Sequence, residues 1–149
     1  MESKNLESTT DELKKLGHIN NEDVYAFCKF YDRINVLDTA VATTGLFTFR
    51  WSTVDYLVAA NPSEFKIFNI NKKTGEYLNE YLIIAKDQID KLVCKKYALI
   101  NVTKRHKINV RVKDMKLKLD LLVGETFRGT NQSREKANLI AMLTTHLVK

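Results

Sequence analysis

Residues 104–123 alternate apolar and polar side chains almost without interruption, and this alternation constrains the fold more than any other feature. Successive side chains of a β-strand point to opposite faces. The segment therefore predicts a β-hairpin with one apolar face and one strongly basic face. The predicted apolar face consists of Ile108, Val110, Val112, Leu117, Leu119 and Leu121.

The register of this hairpin follows from its turn. A two-residue turn at positions 114–115 places Val112 opposite Leu117 and Arg111 opposite Lys118, with Asp120 on the polar side as well. Like charges that lie directly opposite each other destabilise a sheet, by about 0.2–1 kcal/mol per pair. The basic face is thus either a solvated surface that discourages edge-to-edge aggregation, or a contact surface for an anionic partner that relieves the repulsion.

Charge is distributed unevenly along the 149 residues, although the formal net charge is only +6. Residues 1–64 carry 6 basic and 10 acidic side chains, whereas residues 65–149 carry 18 basic and 8 acidic ones. Such asymmetry indicates either an anionic partner or a contact between the acidic and basic parts of the chain. The candidate anion-binding or partner-binding residues are Lys104, Arg105, Lys107, Arg111, Lys113, Lys116 and Lys118.

Two short helices are predicted before the strands. Thr9 or Thr10 can cap the first, which ends near Leu16 with Gly17 just past its end. The second is predicted over residues 21–33, because apolar side chains recur there at helical spacing. Its apolar face comprises Val24, Phe27, Cys28, Tyr31 and Ile34.

After residue 45 short β-branched and aromatic runs follow one another, separated by turn residues such as Asn61-Pro62-Ser63 and a loop containing Gly75. The chain closes with a helix over about residues 132–147, capped by Thr130 or Asn131. This order predicts an α+β fold: a mainly antiparallel sheet, curled into a sandwich or open barrel, with a C-terminal helix that covers one end.

The segments Phe65–Glu76 and Ile84–Val93, followed by the C-terminal helix, resemble the pleckstrin-homology (PH) superfold, in particular bacterial PH-like domains. The resemblance covers residues 45–149 as a PH-like domain and leaves residues 1–44 as a helical extension expected to pack on the sheet. It implies a binding scaffold for lipids, phosphorylated headgroups or peptides. The loop at residues 61–64 is not basic, which argues against the headgroup recognition of the family's lipid-binding members.

No catalytic or metal-binding motif accompanies these elements. His18, His106 and His146 lack ligand spacing, Cys28 and Cys94 form no Cys-x-x-Cys pair, and the chain has no glycine-rich phosphate loop. We therefore expect no cofactor, no metal and no enzymatic activity, with both cysteines free in a reducing compartment. Without a signal peptide or a long apolar run, a cytoplasmic location is expected.

These observations favour a non-enzymatic binding or adaptor domain whose basic hairpin contacts an anionic protein or membrane surface. A nucleic-acid-associated protein using the same residues is the alternative, although no aromatic residue interrupts the basic run. A third hypothesis is a homo-oligomer that pairs through a strand edge or through the aromatic face of the predicted helix at residues 24–31.

Overall fold

The computed structural model describes residues 6–30, 43–44, 47–48, 54–97, 105–113 and 117–148. In chain order the elements are α1 (Leu6–Lys15), β1 (Val24–Phe30), β2 (Thr43–Thr44), β3 (Phe47–Thr48), β4 (Val54–Asn61), β5 (Glu64–Asn71) and β6 (Tyr77–Ala85). They continue with a 3-10 turn (Lys86–Gln88), β7 (Ile89–Tyr97), β8 (Arg105–Val112), β9 (Leu117–Val123), β10 (Thr126–Phe127), β11 (Thr130–Asn131) and α2 (Ser133–Met142).

Seven strands form one antiparallel sheet in the order β6-β5-β4-β1-β9-β8-β7, and the sheet remains open. The predicted α+β class, with a mainly antiparallel sheet and a C-terminal helix, is confirmed. The hairpin register is confirmed as well, since Val112 pairs with Leu117, Val110 with Leu119 and Arg111 with Lys118. The predicted turn at positions 114–115 lies outside the described residues.

The C-terminal helix packs on one side of the sheet. The larger core cluster combines inward side chains from β1 and β4–β9 with Leu139, Leu143 and Leu147 of the helical segment. Over Leu143–Leu147 the helix widens, and Val148 N–H donates to the Leu143 carbonyl at 2.8 Å. Leu143 and Leu147 are four residues apart, a spacing that places both on one side of the helix, and both are fully buried.

Helix α1 covers the opposite side of the sheet over β1, β4 and β5. The second cluster joins Leu13 and Ile19 to outward side chains of these strands, and it contains no residue of β7, β8 or β9. The Thr9 hydroxyl donates to the Gly75 carbonyl at 2.6 Å, which ties α1 to the β5–β6 turn. Thr9 is thus an internal helical residue rather than the predicted cap, whereas Gly17 ends the helix as expected, with φ +79°.

The second predicted helix is wrong, because residues 24–30 form strand β1. Ala26 and Cys28 pack into the larger core, while Phe27 packs into the cluster under α1. A strand that is buried on both sides has a continuous run of apolar residues. Such a run also contains apolar residues at helical spacing, so the spacing does not distinguish a helix from a strand. The residues before β1 form a turn, in which Asn20 N–H donates to Asp23 Oδ2 at 2.9 Å.

Strand β1 lies in the middle of the sheet and pairs with β4 and β9. The sheet therefore joins residues from both sides of the predicted boundary at residue 44. The division into residues 1–44 and 45–149 as separate units stays a prediction.

A buried polar network links the turn after α1 to the β4–β5 hairpin. Asp23 accepts hydrogen bonds from Lys66 Nζ at 2.8 Å and from Asn61 Nδ2 at 2.9 Å. The side chains of Lys66 and Asp23 are only 5% and 0% exposed. Lys66 Nζ also donates to the His18 carbonyl at 3.0 Å, so the segment between α1 and β1 holds the ammonium group of β5 through two residues.

Gln132 replaces a strand partner along one edge of β1. Its Oε1 accepts from Phe27 N–H at 2.9 Å, and its Nε2 donates to the Phe27 carbonyl at 2.9 Å and to the Gly124 carbonyl at 3.0 Å. The Gln132 side chain thus supplies the donor and the acceptor that a neighbouring strand would provide, and it fixes the start of α2 against the sheet.

Substitution Gln132→Ala should lower the free energy of unfolding by about 2 kcal/mol, because it leaves the buried N–H and carbonyl of Phe27 without partners. Urea denaturation measures this change. The control Asn138→Ala removes an exposed amide from α2 and should change stability by less than about 0.5 kcal/mol. Equal effects of both substitutions would contradict the assigned role of Gln132.

Candidate functional site: the outer side of strands β7–β9

The register places the polar residues of β7, β8 and β9 on one side of the sheet. Lys91 pairs with Arg111, Val93 with Asn109, and Lys95 with Lys107. Their neighbours in the chain, including Leu92, Ile108 and Val110, point into the larger core. The polar set therefore lies on the side of the sheet that faces away from α2. We call this side of the three strands the β7–β9 outer face.

The predicted site residues are only partly described. Arg105, Arg111 and Lys113 are exposed on this face, and Lys107 is half-buried. Lys104 and Lys116 lie outside the described residues, and Lys118 is placed only by its backbone register opposite Arg111. The structure thus brings four of the seven predicted side chains onto one face.

Three basic residues of this region were not among the predicted site residues. Lys91 and Lys95 of β7 are exposed beside β8, and Lys29 of β1 is exposed opposite Leu122 of β9. The alternation of Lys91 and Lys95 with Leu92 and Cys94 indicates that both lysines point outward. Only the pairing of β7 with β8 places them on the same face as the hairpin residues. Lys29 was missed because its strand was taken for a helix.

Asp120 departs from the exposed position that the alternation predicts. It lies on the outward side of β9 but is only 2% exposed. Asn109, directly opposite on β8, donates a hydrogen bond to its carboxylate from Nδ2. The acidic side chain at the centre of the face is therefore covered and held by a neighbour.

Like charges face each other across the strands of this face. Lys91 lies opposite Arg111, and Lys95 lies opposite Lys107. Within the described ranges, no ion pair involves Lys91, Lys95, Arg105 or Arg111. Each such pair costs about 0.2–1 kcal/mol, and a bound anion would remove part of that cost.

Two shallow depressions lie along the basic residues. The first, with a volume of about 200 Å³, is lined by Lys91, Val93, Lys95, Asn109, Val110 and Arg111. The second, about 170 Å³, is lined by Phe27, Lys29, Arg105, Leu122, Gly124, Thr126, Phe127 and Arg128. Neither set contains a carboxylate, so both depressions offer an anion only cationic, polar or apolar neighbours.

The second depression is held together around the ring of Phe127. Lys29 Nζ lies 5.8 Å and the Arg128 guanidinium 5.5 Å from the ring centroid. Arg128 also forms an ion pair with buried Asp55 at 3.1 Å and donates to the Asn71 carbonyl at 3.1 Å. Arg128 therefore has a structural role. Lys29 and Arg105 are the cations of this depression that a ligand can contact.

His106 lies on the inner side of strand β8, away from this face, because it neighbours the outward Lys107 in the chain. The pKa of its imidazole is lowered by burial and then by Lys136 and Lys96. In the described part of the chain its Nδ1 has no hydrogen-bond partner. Among those residues, no group of three or more His, Cys, Asp or Glu side chains is placed to hold a metal ion.

Both cysteines are free thiols. Cys28 is fully buried in the core and Cys94 is half-buried beside it. Burial raises the pKa of Cys94 to about 11 and that of Cys28 further. Thiolates are the reactive species, so the fold suppresses the reactivity of both side chains.

Iodoacetamide should therefore alkylate Cys94 in the native protein at pH 8 on the order of 100-fold more slowly than in urea, since a pKa two units higher leaves a hundredfold less thiolate. Cys28 should react more slowly still. The native rate for Cys94 should rise steadily as the pH approaches 11, whereas the rate in urea levels off near pH 9. A native rate at pH 8 equal to that in urea would contradict the assigned environments.

No helix in the described ranges is long and apolar enough to cross a lipid bilayer. No protein-family model and no curated protein matches the sequence.

Among solved structures, the hSac2 domain from human phosphoinositide phosphatase Sac2 is similar to this chain. It shares 10% sequence identity with a TM-score of 0.44, over 96% of this chain and 84% of that one. The expectation that the protein is not an enzyme is corrected here: the similar domain is part of a phosphatase, so the lack of catalytic motifs does not place this chain among the non-enzymes. The likeness assigns no activity to this chain.

Proposed function

We propose that the protein is a binding domain that attaches to an anionic membrane or protein surface through the β7–β9 outer face. The observation that carries this proposal is the set of exposed cations that form no ion pair with any described residue, Lys91, Lys95, Arg105 and Arg111. Adjacent strands are about 4.8 Å apart, and alternate residues of one strand are about 6.7 Å apart. The cations therefore lie along two neighbouring strands over about 20 Å, from Arg111 to Arg105, and can meet several anionic groups at once.

The magnitude of such binding is modest. A Lys or Arg at an anionic membrane surface contributes about 1 kcal/mol, so four exposed cations give about 4 kcal/mol, equivalent to a Kd near 1 mM. Including Lys29, Lys107 and Lys113 brings the sum to about 7 kcal/mol, equivalent to a Kd near 10 µM. The proposal therefore predicts reversible attachment that weakens strongly with salt.

A PH-like architecture and a cytoplasmic location belong to the same proposal. Seven antiparallel strands followed by a C-terminal helix support the first. The second is supported by two thiols that remain unpaired in the folded chain, as is usual in reducing compartments.

Nucleic acid remains the competing ligand. Single strands are held largely by stacking of bases on aromatic rings. At the outward register positions of β7, β8 and β9 the described strands have one aromatic residue, Tyr97, opposite Arg105. Self-association through the predicted aromatic helix is not supported, because that segment is a strand and Phe27 is buried. Pairing of copies through β6 or β7, the outer strands of the sheet, stays a prediction.

Co-sedimentation with vesicles tests the proposal, using vesicles with and without anionic lipid over a salt series, with duplex DNA as competitor. We expect binding only to anionic vesicles, lost as salt rises, and little displacement by DNA. Efficient displacement by DNA would favour the nucleic-acid alternative. Absence of binding to vesicles and to an acidic protein column would contradict the proposal and leave the cations as a solvated face.

A further inference from the structure

One edge of strand β1 lacks a neighbouring strand over its first residues. Residues 24–28 of β1 pair with β4 on one side, but on the other side β9 reaches only Lys29 and Phe30. Between these pairs, Gln132 occupies the backbone groups of Phe27. In an antiparallel strand, the N–H and carbonyl of alternate residues point to the same side. Those of Tyr25 therefore point to the same side as those of Phe27.

The backbone of Tyr25 has no partner on that side within the described ranges. None of the hydrogen bonds that connect different elements involves its N–H or carbonyl. An N–H and a carbonyl at a strand edge are groups that another extended chain can pair with. The Gln132 amide shows that this edge takes strand-like hydrogen bonds, since it forms both of them at 2.9 Å one pair further along.

A groove of about 330 Å³ lies over this edge, between α1 and the start of α2. Its walls include Glu7 and Asp11 of α1, Tyr25 of β1, and Gln132 and Glu135 at the start of α2. The groove is thus bounded by helices on two sides and floored by a strand edge. This is the geometry in which an extended peptide can add as a further strand.

The negative charge of the groove favours a basic ligand. Three carboxylates, those of Glu7, Asp11 and Glu135, surround it against one cation. That cation, Lys14, lies over the ring of Tyr25 at 5.6 Å from the centroid. In the described part of the chain Glu7 and Asp11 form no ion pair, and they are exposed one helical turn apart on α1.

We infer that the groove binds an extended, basic segment of a partner protein. The segment pairs with the N–H and carbonyl of Tyr25, and a Lys or Arg side chain of the segment lies against Glu7 and Asp11. This site has the opposite charge to the β7–β9 outer face, and it is independent of the function proposed for that face.

The full chain, labelled with ¹⁵N, tests this inference with the peptide Ser-Val-Lys-Val-Lys-Val-Ser, acetylated and amidated at its ends. In the free protein we expect the amide of Tyr25 to exchange with solvent much faster than those of Ala26 and Cys28, which pair with β4. Adding the peptide should protect Tyr25 and shift its resonance. The same peptide with glutamate in place of lysine should leave both unchanged.

The variant Glu7→Lys/Asp11→Lys should weaken peptide binding about tenfold or more, while Glu22→Lys/Glu76→Lys, an equal change of charge at exposed positions away from the groove, should not. A Tyr25 amide that is already protected in the free chain would overturn the inference, because another part of the protein would then fill the edge. Absence of binding to an open edge, or equal binding of the acidic peptide, would overturn it as well.

Discussion

The substitution Lys66→Met should lower the free energy of unfolding by about 3–5 kcal/mol, because it leaves a buried carboxylate without its cation. Asp23 and Lys66 are almost fully buried, and their oxygen and nitrogen are 2.8 Å apart. Asn61 Nδ2 and Asn20 N–H also donate to Asp23. Removing the ammonium group therefore loses two hydrogen bonds, to Asp23 Oδ2 and to the His18 carbonyl, and leaves the buried carboxylate without its counter-charge.

Chemical denaturation in urea measures the effect, and Lys91→Met is the matched control. Lys91 is exposed on β7, so its replacement should change stability by less than about 0.5 kcal/mol. The double variant Lys66→Met/Asp23→Leu removes both charges and should recover much of the loss. A loss below about 1 kcal/mol for Lys66→Met would show that the pair is not buried as described.

Charge reversal on the β7–β9 outer face should reduce binding to anionic vesicles by about 100- to 1000-fold. The variant Lys95→Glu/Arg111→Glu removes two attractions of about 1 kcal/mol each and adds two repulsions of similar size. Together these changes approach 4 kcal/mol, and each 1.4 kcal/mol corresponds to a factor of ten. Both side chains are exposed, so the fold should be retained, as circular dichroism can verify.

The matched control for this experiment is Lys72→Glu/Lys73→Glu. These exposed lysines lie in the turn between β5 and β6, and their reversal changes the net charge by the same amount. We expect the control to bind within about threefold of the unchanged protein. Equal losses in both variants would show that net charge, rather than this face, determines binding.

The hairpin of β8 and β9 could be predicted to the residue, because one buried side and a period of two allow a single register. Strand β1 could not. Its residues are buried on both sides of the sheet, and apolar residues on both faces remove the alternation that identifies a strand. Only its pairing with β4 and β9, which are distant in sequence, distinguishes it from a helix.

The site was predictable where it is local to the hairpin. Arg105, Lys107, Arg111 and Lys113 follow from the alternation, whereas Lys91, Lys95 and Lys29 join them only through pairing between strands. The burial of Asp120 depends on what surrounds it in three dimensions, including Asn109 on the neighbouring strand. The open edge at Tyr25 could not be predicted for the same reason, since it exists only because β9 pairs with β1 no further than Lys29 and Phe30.

Amide chemical-shift mapping with lipid nanodiscs shows whether the β7–β9 outer face meets an anionic surface. Spectra of the ¹⁵N-labelled chain would be compared with nanodiscs that contain anionic lipid and with nanodiscs of neutral lipid alone. We expect shifts or broadening concentrated on β7, β8 and β9 around Lys91, Lys95 and Arg111, with anionic lipid only. Changes centred on α1 and β4–β6, or equal changes with neutral lipid, would contradict the proposal.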